Sequence, residues 1–291
     1  MTLIGSLATV AVLIAVGLRR HLPPKPTVRL LVASMTAAGL ITVWILAAAA
    51  LQGVAALPWL REHLAWCSGA YPLDHEVHPA ASAIALMALG LVVRTLAVRI
   101  PTSSLRLGPS ADVGPLRLVH CNEPVAFAEP GAPGRVVVST GALAALDEPE
   151  RRALFAHEHA HLRNAHHRLL LLAQASAIAL PLLYPLVRVV RYLLERWADE
   201  DAAVEIGSRT VLASAMARFA LSSPAVSPAL GFASLGVVGR VRELVEPPTH
   251  RRWKVIAARG AFVVILASAS LVAMGRMESV LRLLAHLCGT G

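Results

Sequence analysis

Residues 30–60 read LLVASMTAAGLITVWILAAAALQGVAALPWL, thirty-one positions without a charge. A bilayer is crossed by about 20 apolar residues in a helix, so this run holds a membrane span with room to spare, ending near Gln52-Gly53 or Pro58. The chain as a whole agrees: of 291 residues, 56% are hydrophobic and 15% charged, with a mean hydropathy of +0.62, too apolar for an ordinary soluble protein. Working outward, Met1 to Leu18 is uncharged and precedes Arg19-Arg20, the reverse of a secretory signal, and reads as an uncleaved first span. Val77 to Val93, extended past a snorkelling Arg94 to Val98, gives a third, and Val255 to Gly275, with Arg259 near its boundary, a fourth.

Positive residues collect in short cytoplasmic loops. Arg19, Arg20, Lys25 and Arg29 lie between spans one and two, and only Arg61 between two and three. The first loop is therefore expected inside, the N-terminus outside, and Arg99 to Lys254 in the cytoplasm. A fifth run, Leu169 to Val187, is uncharged for 19 residues. A single crossing there would carry eleven basic residues, from Arg188 to Arg259, to the wrong side, and Pro181 and Pro185 interrupt it. It is expected to be buried in the polar domain or to lie against the membrane. The resulting expectation is a mostly α membrane protein: three spans in residues 1–99, a cytoplasmic α+β domain in 100–254, and a fourth span with a short outer tail in 255–291.

The net charge of +9 does not point to nucleic acid, because the basic residues flank apolar runs rather than interleaving with aromatics. The three cysteines, Cys67, Cys121 and Cys288, have no CxxC spacing, which excludes a cysteine zinc module. Cys67 and Cys288 would share the outer face, so a disulfide between them is open, with free buried thiols preferred.

From Leu116 the pattern turns to short β-like pieces, Leu116 to His120 and Arg135 to Ser139, around Pro124 to Ala128 and the turn-rich Glu129 to Gly134. Pro124 to Ala128 is the candidate for an edge strand that holds an extended peptide, since an edge tolerates proline. Asp147 and Glu150 form a capping-box-like helix start, and ERRALFAHEHAHLRNAHH (residues 150–167) continues without glycine or proline. Further helices are expected from Arg188 to Ile206, ending at Gly207, and from Ser208 to Leu221, with a loop from Ser222 to Gly239.

Five of the twelve histidines fall between His157 and His167. Within them stands His157-Glu158-His159-Ala160-His161, an HEXXH pattern. Helical residues four apart share a face, so His157 and His161 converge on one ion while Glu158 lies beside them. Zinc suits imidazole and carboxylate ligands, and three protein ligands leave a fourth position for a water whose pKa falls to about 7. Glu158 is then the base that activates the water and returns its proton to a leaving amine. For the third ligand, Glu195 competes with His167. Glu195 shares a helical face with Asp199, which can orient His157 or His161 from behind; His167, after Asn164, approximates HEXXHXXGXXH. Glu195 is preferred because a helix continuing through Leu172 turns His167 away. His166, Arg191 and Tyr184 are open as oxyanion stabilisers.

AHEHAHL (156–162), ERWADEDAA (195–203) and PVAFAEPGAPGRVVVSTGALAAL (124–146) resemble the BlaR/MecR-type membrane metallopeptidases, with a more distant similarity to HtpX and the CAAX prenyl proteases. The resemblance implies a membrane-embedded zinc peptidase of gluzincin type facing the cytoplasm. His157, His161 and Glu195 would be its ligands, Glu158 its base and Asp199 an orienting residue. BlaR/MecR sensors carry a large penicillin-binding domain after the last span, whereas 16 residues follow Gly275, so direct β-lactam sensing is not expected. The implied partners are the bilayer and a protein substrate, by resemblance a transcriptional repressor, with self-association left open. Two other readings stand beside this one: HtpX-like quality control of membrane proteins, and a zinc-occupied scaffold that binds without cutting.

Overall fold

The computed structural model describes residues 23–55, 57, 79–99, 110–131, 134–222 and 236–246. Helices α1 (Pro24–Ala55) and α2 (Pro79–Arg99) both open on proline, whose fixed φ and missing N–H suit a first helical turn. Among the described residues these are the two helices long and apolar enough to cross a membrane, over Pro24–Leu51 and Pro79–Val98. They correspond to the second and third expected spans. The first and fourth, and with them Cys67 and Cys288, lie outside the described residues. α1 starts six residues before the uncharged run, so Lys25 and Arg29 occupy helical turns rather than the loop expected for them. The two helices approach closely because Gly53 has no side chain: a Cβ there would stand 2.2 Å from the Cβ of Ser82.

A small sheet follows, of β1 (Ser110–Val113), β2 (Leu116–Val119), β3 (Ala126–Glu129) and β4 (Arg135–Ser139), in the order β1-β2-β4-β3. β2 and β4 are parallel and the other pairs antiparallel. β1 was not foreseen, whereas β3 is an edge strand as its proline-led sequence suggested. Ser139 ties the sheet to α3 (Thr140–Ala145). Its hydroxyl caps that helix at the N–H of Ala142, accepts from the N–H of Val125 and donates to the carbonyl of Glu123.

Helix α4 (Glu148–Arg163) carries the expected capping box, Asp147 with Glu150. It does not run on through His167. Asn164 ends it, Ala165 takes a left-handed φ of 50°, and a new helix, α5 (His166–Ala179), leaves in another direction. The Asn164 side chain holds the break, donating to the carbonyl of Ala160 and to Asp201. The apolar run Leu169–Val187 is likewise divided: α5 stops at Leu180, a 3-10 turn covers Pro181–Leu183, and α6 (Tyr184–Ile206) returns. Pro181 and Pro185 cannot donate backbone hydrogen bonds, so one continuous helix cannot form there. α6 ends at Gly207 in the left-handed region and α7 (Arg209–Ser222) follows. α8 (Val237–Val245) begins inside the stretch expected to be a loop, placing Arg240 on a helix.

Two cores share α6. One joins Val28, Leu31, Val32 and Met35 of α1 to Ala173 and Ala177 of α5 and to the first half of α6 as far as Trp197. The other joins Ala126 and Val138 of the sheet and Ala153, Leu154 and Ala156 of α4 to Ala202 and Ala203 of α6 and to α7. The polar residues of α6 lie where the two meet, which is why they are buried although charged.

Candidate metal centre

α4 and α6 pack against one another. α4 contributes His157 and His161, α6 Glu195 and Asp199, each pair four residues apart and so on one face. The Nε2 atoms of His157 and His161 lie 3.1 Å apart, and Glu195 is 3.6 Å from the first and 3.7 Å from the second. One ligand atom from each of the three residues falls within 4.8 Å of the others. Two nitrogens bound to zinc at 2.0–2.1 Å and a tetrahedral angle are about 3.3 Å apart, so the imidazole pair is already spaced for one ion. His167 is not part of this group.

Around the three stand residues that set their protonation. Asp199 approaches Nδ1 of His157 at 3.1 Å, which assigns the ring proton to Nδ1 and frees Nε2 for a metal. Nδ1 of His161 is 3.0 Å from Nδ1 of His166, the first residue of α5. With Nε2 of His161 turned to the centre, His161 donates and His166 accepts. His166 stacks at 4.7 Å on Trp197, and Trp197 in turn faces Lys25 and Arg29 of α1 at 5.4 and 5.0 Å. Arg240, 1% exposed, donates to both Asp199 oxygens at 2.7 and 2.6 Å and to Glu195 at 2.8 Å. Its helix is docked on α6 through Glu243, which meets Tyr192 at 2.6 Å and Arg196 at 2.5 Å.

The electrostatics follow from burial and from these partners. Burial raises the proton affinity of Glu195 and Asp199, but Arg240 together with the neighbouring imidazoles, His157 above all, more than reverses it and holds both carboxyls well below their ordinary range. Burial would strip the proton from His157, yet its hydrogen bonds to Asp199 and Glu195 and the charges of Asp199 and Glu158 outweigh it and lift the ring to about 9. At His161 burial, with the neighbouring charges of His157 and Arg240, outweighs the attraction of Glu195 and Asp199 and lowers the ring to about 4. Glu158 is 1% exposed, and burial pushes its carboxyl up to about 7. It accepts a hydrogen bond from the backbone N–H of Ala128.

That last bond joins the centre to the sheet. Ser139 N–H donates to Val125 at 2.9 Å, and Ala126 and Ala128 stand opposite Val138 and Val136. Antiparallel ladders alternate, so the N–H and C=O groups of Ala126 and Ala128 point away from β4; Ala126 is covered there, whereas Ala128 is only partly buried and lies beside Glu158. His159 points away, into a groove on the far side of α4 with Arg152, Phe155 and Val211. Tyr184, at the start of α6, is eleven residues from Glu195, about 16 Å along the helix, too far to serve as an oxyanion donor.

Sequence reasoning missed Arg240 and the linking role of His166. Arg240 is one of many arginines and sits 45 residues beyond Glu195, with no local pattern that distinguishes it. The sequence offers His166 only as one of three open oxyanion candidates; its contact with His161 depends on the break at Ala165.

Residues 116–223 match the family model described as Peptidase family M48. The segment runs from β2 to just past α7, so it contains His157, Glu158, His161, Glu195 and Asp199 and leaves Arg240 outside. No curated protein and no solved structure matches the chain. The match supports a metallopeptidase, in agreement with a residue group able to bind a metal ion.

Proposed function

We propose that the chain is a membrane-anchored, zinc-dependent endopeptidase acting on cytoplasmic or membrane-proximal proteins. The observation that carries the reading is the convergence of His157, His161 and Glu195 with the buried Glu158 carboxyl beside them. Two imidazoles and one carboxylate are a fitting donor set for zinc. Bound there, zinc would polarise the scissile carbonyl and acidify a water molecule.

The chain's own residues supply the rest. Asp199 fixes the tautomer of His157, and His166 that of His161. Arg240 keeps Glu195 and Asp199 ionised. An extended peptide adds to the edge of β3 at the carbonyl of Ala128, whose N–H is held by Glu158, which brings its backbone alongside Glu158. Glu158 takes a proton from the attacking water and gives it to the leaving amine. A proton affinity near neutrality suits a group that must both accept and release.

For the substrate, the resemblance of ERWADEDAA and AHEHAHL to BlaR/MecR-type peptidases favours a transcriptional repressor. The test is the Glu158→Gln variant of the full chain in liposomes, incubated with candidate protein substrates. The expected result is full zinc content with cleavage lost. Cleavage at the wild-type rate would remove Glu158 from the reaction, and a cellular phenotype untouched by the substitution would favour a scaffold over an enzyme.

A further inference from the structure

Residues 169–187 form an uncharged hairpin bounded by Arg168 and Arg188. Its outbound arm, α5, lies beside α1, and two contacts define how. At one end His166 stacks on Trp197, which faces Arg29; at the other a Cβ on Gly39 would stand 3.0 Å from the Cα of Ser176. From Arg29 to Gly39 and from His166 to Ser176 is ten residues each, so the two helices run in the same direction for about 15 Å. Whatever medium α1 enters, α5 enters with it.

The hairpin is dressed for hydrocarbon. Its inward face joins the core built on α1 through Ala173, Ala177, Leu186 and Val187. Its outward face presents Leu171, Leu172, Leu182 and Tyr184, each at least 40% exposed, in continuity with the exposed apolar side chains of α1 such as Leu40. The bend exposes few unsatisfied groups. Leu180 donates to Ser176 and Leu183 to Leu180, both at 2.9 Å, while Pro181 and Pro185 have no N–H to satisfy. The exposed Arg168 marks the base of the α5 arm, and the exposed Arg188 and Arg191 stand nearer the tip on α6. From them to the tip is about 18 Å along α5 and about 6–10 Å along α6, against a hydrocarbon core of about 30 Å.

We infer that residues 169–187 are a re-entrant element whose tip lies among the acyl chains of the leaflet that α1 enters, and which returns without crossing. The inference rests on α1 being a span. It also refines the proposed activity. His166 opens the hairpin and touches His161, so the metal centre sits at the base of the α5 arm, level with Arg168, while Arg188 and Arg191 stand about 8–12 Å nearer the tip on side chains long enough to reach back to the lipid headgroups. The bonds it reaches are then those within a few residues of the membrane surface.

The test is collision accessibility of a nitroxide on the full chain, with Cys67, Cys121 and Cys288 replaced by serine, in phosphatidylethanolamine/phosphatidylglycerol liposomes. Single labels are placed through Leu182→Cys, Tyr184→Cys, Leu40→Cys on α1, and Val204→Cys, an exposed apolar position at the far end of α6. The expected result is a severalfold higher ratio of oxygen to nickel-complex relaxation at 182 and 184 than at 204, approaching the value at 40. A 182 label that matches 204 while 40 reports lipid puts the hairpin in water and overturns the inference. So does a 182 label shielded from both reagents, which means protein covers it. If 40 also reports water, α1 is not a span and the inference falls with it. None of these readings uses cleavage, so the peptidase proposal stands or falls separately.

Discussion

Nδ1 of His166 stands 3.0 Å from Nδ1 of His161, so a side chain that heads one helix holds a candidate metal ligand of another. The bond forms only because α4 stops at Asn164 and Ala165 reverses the chain direction. Partners of this kind are commonly worth 10–100-fold in metal affinity. His166→Ala is therefore expected to weaken zinc binding by about that factor in a chelator competition. His166→Asn, whose side-chain oxygen can replace the accepting nitrogen, should recover most of it. Equal affinity in wild type and the alanine variant would show that the pair does not orient His161.

Arg240 donates to both Glu195 and Asp199 from a buried position. Removing one member of a buried ion cluster leaves the others uncompensated, at about 3–5 kcal/mol. Arg240→Met should destabilise the metal-free protein by that order in denaturant titration. Zinc should restore part of the loss, since a cation at the centre replaces the missing positive charge.

Glu158 is buried and its folded-state pKa is raised to about 7, from an ordinary value of 4.5. A raised carboxyl favours folding below its unfolded pKa and loses that contribution as pH rises through the folded value. At pH 8 the ionised, buried carboxylate therefore costs stability. Glu158→Gln should make the metal-free protein more stable at pH 8, by on the order of 1–3 kcal/mol, and the gain should vanish near pH 4.5. Melting at the two pH values checks the sign.

His157 is held at about 9 in the metal-free chain, between Asp199 and Glu195. A metal must displace that proton, because only the neutral ring offers Nε2 as a ligand. Zinc uptake at pH 7 should release one proton from this residue, and apparent affinity should fall about tenfold per pH unit below 9. His161, at about 4, adds no second proton until the solution is far more acid. Calorimetry in buffers of different ionisation enthalpy counts the protons, and a count of zero would contradict the arrangement.

Ala128 turns its N–H toward Glu158 rather than into the ladder with β4. Ala128→Pro deletes that donor while leaving the β3–β4 bonds in place. Cleavage of a peptide substrate should drop by about tenfold or more, mainly through kcat/KM, with zinc content unchanged. Loss of zinc along with activity would indicate a folding defect instead.

What could be read in the sequence was what is local. Uncharged runs of helical length marked α1 and α2, Asp147 with Glu150 marked the start of α4, and four-residue spacing put His157 with His161 and Glu195 with Asp199 on shared faces. Each of these depends only on helical periodicity and side-chain chemistry within one or two turns. The packing of α4 on α6, which brings the two faces together, is a tertiary fact. So are Arg240, drawn in from an unrelated helix, and His166, brought back by one left-handed residue. So too is the folding of Leu169–Val187 alongside α1. Those contacts join residues whose separation along the chain carries no period, and their side chains are chosen by charge and shape complementarity in a shared interior. Only the folded chain brings them within hydrogen-bonding distance.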